Sequence, residues 1–182
     1  MAELAQFTPG SNGIVAYVGP SQLDQAPIVM VATLHSNNAK TGDMIQTWIL
    51  RSDMNPLQAL STGADASICG TCVHRGPSDN GKSRSCYVNV HQAPLNIYRT
   101  YLRGKYTPID SLNGRLDWLS GRMLRCGAYG DPAAIPYELW SRLVQASSGH
   151  TGYTHQWKTC DQRFNQLLMA SCDSEEERLE AK

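Results

Sequence analysis

The chain reads as an α/β protein, with an antiparallel β element at its N-terminal side followed by a partial barrel or open parallel sheet with helices. Three observations carry this reading. Two apolar runs, Ile28–Leu34 and Met44–Leu50, flank a turn-rich segment short enough for a hairpin. Past Cys86 the texture changes to helix, with Pro94 suited to a first helical position and Gly104 to a stop. Past Gly121, three apolar stretches each end on a polar tip and lead toward a helix-like segment. That pattern belongs to parallel strands joined by crossovers.

At 182 residues the chain has enough length for one domain with a real hydrophobic core. We read it as a single domain, 1–182, in three parts: a β-rich part over 1–66, a cysteine loop and basic helix over 67–110, and β/α repeats over 111–182. Residues 1–12 read as a loose lead-in, and Ile14–Val18 as a short strand ending at Gly19-Pro20. Ile28–Leu34 is rich in β-branched residues and suits burial on both faces. In the connection that follows, Asn38-Ala39-Lys40-Thr41-Gly42 lacks the glycine spacing of a phosphate loop and reads as a hairpin loop. Asp53 to Gly63 reads as a helical turn leading into Asp65.

Cys69-Gly70-Thr71-Cys72 forms a C-x-x-C knuckle, His74 follows two residues on, and Cys86 returns after a polar loop. Thiolates and imidazole converging across a short loop bind zinc or an iron–sulfur cluster, and the spacing does not decide between them. Cys69, Cys72, Cys86 and His74 are the candidate ligands. A redox C-x-x-C and plain unligated thiols are the alternatives, because only one knuckle is present. No signal peptide is evident at the start and no apolar run is long enough to span a bilayer, so the six cysteines point to a reducing cytoplasm.

Sixteen basic and sixteen acidic residues balance overall, yet nine basic and three acidic residues fall between Arg75 and Arg125. The excess suggests an anionic ligand or nucleic acid, or a solvated face. Leu95, Tyr98 and Leu102 recur at helical spacing as the buried stripe of the helix after Pro94. Arg99 and Arg103 lie four apart on one side of that helix and Lys105 follows it, and the three are candidate anion-binding residues.

In the C-terminal part, Gly121–Cys126, His150–His155 and Leu167–Cys172 are the three expected strands. Tyr137, Trp140, Leu143 and Val144 form the apolar face of the helix after the first. Ser174 followed by Glu177 is a capping box for a last helix. Ligands of such sheets bind beyond the carboxyl ends of the strands, where Tyr129, Asp131, His155, Cys172 and Asp173 fall. Asp131, His155 and Asp173 are the candidate catalytic groups; Asp131 and Asp173 are equally suited to caps or turns, and His155 to a hydrogen bond with a neighbouring strand. Cys126 sits within its strand facing either core or cluster, and Cys160 reads as a helix-start thiol.

Several of these segments taken together resemble a known family. They are Lys40–Trp48, Ile68–Arg75, Cys86-Tyr87-Val88-Asn89, Gly127–Pro132 and Gly152-Tyr153-Thr154-His155. They are similar to phage-encoded proteins of the family called gene product eighty-eight, over most of residues 36–174. The wider group resembles radical-SAM-type partial barrels, in which cysteines near one end hold an iron–sulfur cluster. The chain lacks the C-x-x-x-C-x-x-C triplet of those enzymes, so the resemblance does not extend to S-adenosylmethionine cleavage. Relatives are expected to continue past the last helix with a further strand, which implies a shortened member. Two functions follow. One is a metal- or iron–sulfur-binding protein acting on a phosphorylated or nucleotide-like substrate in the host-cell cytoplasm. The other is a non-catalytic phage accessory protein with a structural zinc that binds a host protein or nucleic acid.

Overall fold

Strand formation begins where β-branched residues concentrate. β1 (Gly13–Pro20), β2 (Pro27–Thr33) and β3 (Ile45–Arg51) pair antiparallel in sequence order, with Val31 opposite both Val15 and Trp48. The computed structural model describes residues 11–35, 41–75 and 84–182. Most of the lead-in, Asn38-Ala39-Lys40 of the hairpin loop and the polar loop 76–83 lie outside the described residues.

Ile28, Val29, Met30, Val31 and Ala32 are all fully buried, so β2 is covered on both faces as its unbroken apolar run requires. After β3 the chain forms α1 (Pro56–Thr62), α2 (Ala66–Cys69) and α3 (Ala93–Leu102) before it returns to the sheet. Asn55 caps α1, its Oδ1 accepting from the amides of Leu57 and Gln58 at 3.0 Å each. β4 (Thr107–Pro108) then adds a short parallel edge to β1, which the sequence did not lead us to expect.

β5 (Met123–Tyr129), β6 (Gly149–Thr154) and β7 (Met169–Ala170) follow, with α4 (Tyr137–Ala146) crossing between β5 and β6 and α5 (Glu175–Glu180) closing the chain. The sheet order is β4-β1-β2-β3-β5-β6-β7. The pairs β3–β5, β5–β6 and β6–β7 are parallel. The sheet is therefore mixed and open, antiparallel in one half and parallel in the other, and does not close into a barrel. No helix among the described residues is long and apolar enough to cross a membrane.

Three local expectations need correction. The buried stripe of α3 runs through Pro94, Ile97 and Tyr98 with Leu95 beside it, whereas Leu102 is 61% exposed. Leu102 ends the helix and sits one residue round from Tyr101, which takes the inward position. The third C-terminal strand shrinks from six residues to two. The Leu167 and Leu168 amides both donate to Phe164 O, at 2.9 and 2.8 Å, and so cannot enter the ladder. The segment before it forms a 3-10 turn over Gln162–Gln166, and Cys160 lies ahead of that turn. At the last helix Ser174 Oγ accepts from the Glu177 amide as expected, but the Glu177 carboxylate reaches back to the Asp173 amide at 2.8 Å, one residue earlier than in a regular capping box.

Where the two halves of the sheet meet, the β3–β5 register shifts between Gln46 and Trp48. Thr47, fully buried, spans the irregularity: its hydroxyl donates to Arg125 O at 2.9 Å and accepts from the Gly127 amide at 2.8 Å. Thr47→Val strands both backbone groups and is expected to cost about 1–3 kcal/mol in a urea titration. Wild-type stability in that variant would show that solvent or a relaxed ladder replaces the hydroxyl.

Candidate functional site

Parallel pairing brings the carboxyl ends of β3, β5, β6 and β7 to one edge. A cavity of about 230 Å³ opens there. Its lining includes Cys69, Cys72 and Cys86 from the cysteine loop, Tyr129 and Asp131 from the end of β5, His155 from the end of β6, and Ser171 from the end of β7. The cysteine loop thus shares the edge with the strand tips.

The loop is anchored from several directions. The Asp131 amide donates to Ile68 O at 2.6 Å, fastening α2 to the end of β5. Gly70 ends α2 at φ 55°, and a β-carbon there would lie 2.4 Å from the side chain of Gln156. That close approach lets the Gln156 Oε1 accept from the Thr71 amide (3.3 Å) and hydroxyl (3.2 Å), while its Nε2 donates to Cys69 O at 3.3 Å. Cys86 returns because the carbonyl of His74 accepts from the amides of Ser85 and Cys86, at 3.2 and 3.0 Å.

Asp131 is 7% exposed, and its two oxygens are taken by three donors. Oδ1 accepts from the Ala133 amide (2.9 Å) and the Thr154 hydroxyl (2.7 Å), and Oδ2 from the His155 amide (2.8 Å). Burial pushes its carboxyl above the usual range and those bonds oppose the rise. Gly130, at φ 80°, makes the turn into Asp131 against Ile49, which a β-carbon would approach to 2.7 Å. The sequence placed Asp131 among proton-transfer groups or caps; the geometry gives it the work of a cap and brace.

The two imidazoles lie at the rim. His155 Nε2 is 3.0 Å from Ser171 Oγ, 3.7 Å from Cys72 Sγ and 3.8 Å from Asp173 Oδ2. His74 Nε2 is 3.1 Å from Asp173 Oδ1 and its Nδ1 2.8 Å from Ser85 Oγ. Cys172 Sγ lies 3.9 Å from Ala170 O, and Cys172 is not among the lining residues. Cys126 is buried in β5 and lines the cavity, with burial pushing its thiol up to about 12.

The positive charge of the cavity comes from residues the sequence reading did not single out for it. Arg75, Arg84 and Arg125 line it. Arg75 pairs with the buried Asp65 at 3.1 Å, and its Nε is buried without a partner. Arg84 donates to the carbonyls of Cys86 (3.0 Å) and Val88 (2.6 Å), and Arg125 to the Tyr87 hydroxyl at 2.8 Å. Among the described residues neither forms an ion pair with a carboxylate. Arg99, Arg103 and Lys105 are exposed on and beyond α3, away from the lining. The clustering of arginines between 75 and 125 was the sequence signal; which of them converge depends on the fold.

As donors, three thiols on one cavity wall suit a thiophilic metal centre. They do not all lie within 4.8 Å of one another, a condition that His74, His155 and Asp173 alone meet among the described residues. Without a cation, burial raises the thiols of Cys69 and Cys72, and the nearby negative charges, first among them Asp65 for Cys69, add to the effect. A bound cation reverses that balance by favouring thiolate.

No family model matches the chain, and no curated protein or solved structure is significantly similar to it.

Gln156→Ala removes three bonds to the knuckle, and hydrogen exchange at Thr71 is expected to accelerate at least tenfold, on the order of the 1.4 kcal/mol or more that such a loss carries. Unchanged protection would mean that the Asp131–Ile68 bond alone holds the loop. In metal-free protein, alkylation of Cys69 and Cys72 near pH 8 is expected to be slower than that of a free thiol. A thiol raised by folding favours the folded chain while it keeps its proton. Its contribution is present below the ordinary value of 9.0 and lost as the pH rises through the higher folded value. Mass spectrometry of alkylated peptides across pH 7–11 and melts over the same range check both signs.

Proposed function

We propose that this chain is an iron–sulfur protein that receives an anionic, phosphorylated or nucleotide-like substrate in the cavity at the strand tips. The observation that carries the reading is the joint placement, around one cavity, of three thiols and of two arginines, Arg84 and Arg125, that form no ion pair within 4 Å among the described residues. The thiol spacing supports a cluster over a single zinc. Around one zinc, sulfurs at bonding distance sit about 3.8 Å apart, whereas a cluster spreads its irons and so its ligating sulfurs. Three thiols leave one cluster iron without a cysteine from this set.

The cluster supplies electron transfer or Lewis acidity when bound. The chain's own residues do the rest. Arg84 and Arg125 offer planar, permanently charged donors to phosphate or carboxylate oxygens. Tyr87, 81% exposed, and Tyr153, 58% exposed, supply aromatic surface at the opening on which a base or other flat group can stack. Asp131 holds the backbone of His155 so that the imidazole stays beside Cys72 and Asp173. With its Nε2 unligated, His155 is the group best placed to move a proton at the cavity rim. The phage resemblance and the free thiols fit work in a reducing host-cell cytoplasm.

Anaerobic purification is expected to yield brown protein with iron and acid-labile sulfide in near-equal amounts, and Cys69→Ser or Cys86→Ser to bleach it. Colourless protein with stoichiometric zinc overturns the cluster and supports the structural-zinc accessory protein instead. Arg84→Ala with Arg125→Ala is expected to weaken nucleotide or inorganic-phosphate binding by at least about tenfold in calorimetry, while Arg99→Ala with Arg103→Ala leaves it unchanged. The reverse pattern would move the anion site to α3.

A further inference from the structure

We infer that His74, His155 and Asp173 form a second, mononuclear site for a borderline divalent cation such as zinc, iron(II) or cobalt(II), at the rim of the cavity and separate from the thiols. One donor atom from each residue lies within 4.8 Å of the other two. His74 Nε2 lies 3.1 Å from Asp173 Oδ1 and His155 Nε2 3.8 Å from Asp173 Oδ2, so each imidazole already faces an oxygen of the same carboxylate, and one donor atom from each residue can approach the spacing of about 3.4 Å that ligands at about 2.1 Å adopt around one tetrahedral ion. Two imidazoles and a carboxylate are a donor set for zinc or iron(II), not for calcium or magnesium, which take oxygen.

The residues behind the donors are those a metal site needs. His74 keeps its Nδ1 on Ser85 Oγ at 2.8 Å, which leaves Nε2 with the lone pair when Nδ1 carries the proton. The Asp173 amide donates to Glu177 Oε2 at 2.8 Å, so α5 holds the backbone from which the carboxylate extends. His155 is placed by the bond from its amide to Asp131. The rings of His74 and His155 meet edge to face with centroids 5.7 Å apart, an arrangement that keeps both rings beside one carboxylate. Ser171 Oγ lies 3.0 Å from His155 Nε2, so an ion on that nitrogen would require the serine side chain to rotate about χ1.

His74 of the cysteine segment meets Asp173 across 99 residues of sequence, and His155 and Asp173 follow β6 and β7, which pair in parallel. Three protein ligands leave a position open for water or substrate, as in catalytic rather than structural ions. Cys72 Sγ, 3.7 Å from His155 Nε2, puts that position next to the thiol centre and the arginine-lined cavity.

Cobalt(II) is the probe. Full-length protein is purified anaerobically, freed of loosely held metal with a chelator and titrated with cobalt(II) under an absorption spectrometer. We expect one saturable equivalent with visible d–d bands and no near-ultraviolet sulfur-to-cobalt charge transfer. Asp173→Asn and His74→Ala are each expected to weaken it by at least about tenfold, and Ser171→Ala to leave it intact. Asp173→Asn is nearly isosteric, so it keeps the test open if His74→Ala fails to fold, as judged by circular dichroism. No saturable binding, or binding with sulfur charge transfer that Asp173→Asn does not change, overturns the site and leaves an ordinary His–Asp ion pair. Iron and sulfide content measured on the same samples reports the thiol centre separately: cobalt bound by the triad in protein without a cluster supports this site and rejects the cluster.

Discussion

The buried carboxylate of Asp131 is the interaction on which the rest of the site depends. A carboxylate in that environment is costly to keep charged, and three donors offset the cost. The donors belong to two pieces of the edge: Ala133 in the turn after β5, and Thr154 with His155 at the end of β6. The amide of the same residue reaches α2 through Ile68 O. One side chain and its own backbone therefore set where the cysteine knuckle, the second strand tip and the rim histidine stand relative to one another. Placed at the tip of a parallel strand, a carboxylate is commonly read as a catalytic group; here its hydrogen-bonding capacity is already committed to holding others.

The two halves of the sheet divide the labour. β1, β2 and β3 are a buried antiparallel platform, with Ile14, Met30, Ile45 and Ile49 fully enclosed. β5 matches β2 and β3 in length and β6 is nearly as long, whereas β7 has two residues; polar residues lie at or just past the carboxyl ends of all three. The join between the halves is irregular, and Thr47 fills the break with a hydroxyl that serves both an acceptor and a donor on β5. Irregularity of this kind at the base of a strand changes how its far end is aimed. The end in question carries Cys126, Tyr129 and Asp131.

Charge in the cavity follows the same logic of convergence. Arg84 is held by two carbonyls of the returning cysteine segment, and Arg125 by a tyrosine from it. Both guanidinium groups are oriented by these bonds, and among the described residues neither forms an ion pair with a carboxylate, although Arg84 lies close enough to Asp65 to lower its carboxyl. The arginines of α3 are solvated instead, the common fate of cations on an amphipathic helix. The rim imidazoles and Asp173 place a cluster of nitrogen and oxygen donors beside the thiols on one edge.

The sequence by itself determined the fold class and most elements. β-branched runs marked β1 to β3, Pro94 and Ser174 marked helix starts, and polar tips after apolar stretches marked the parallel strands. These are local signals, since backbone preference and capping act within a few residues. The knuckle was legible for the same reason, because a C-x-x-C turn brings its thiols together without help from the rest of the chain. Only the tertiary structure decided what faces the knuckle. Gln156 bonds Thr71 across 85 residues of sequence, and His74 meets Asp173 across 99. No periodicity connects such positions. β4, two residues long, exists only because β1 offers an edge, and β7 is cut short because its leucine amides turn back to Phe164. Sheet order sets those neighbours, and sheet order is fixed by the burial of whole faces rather than by any single stretch of residues.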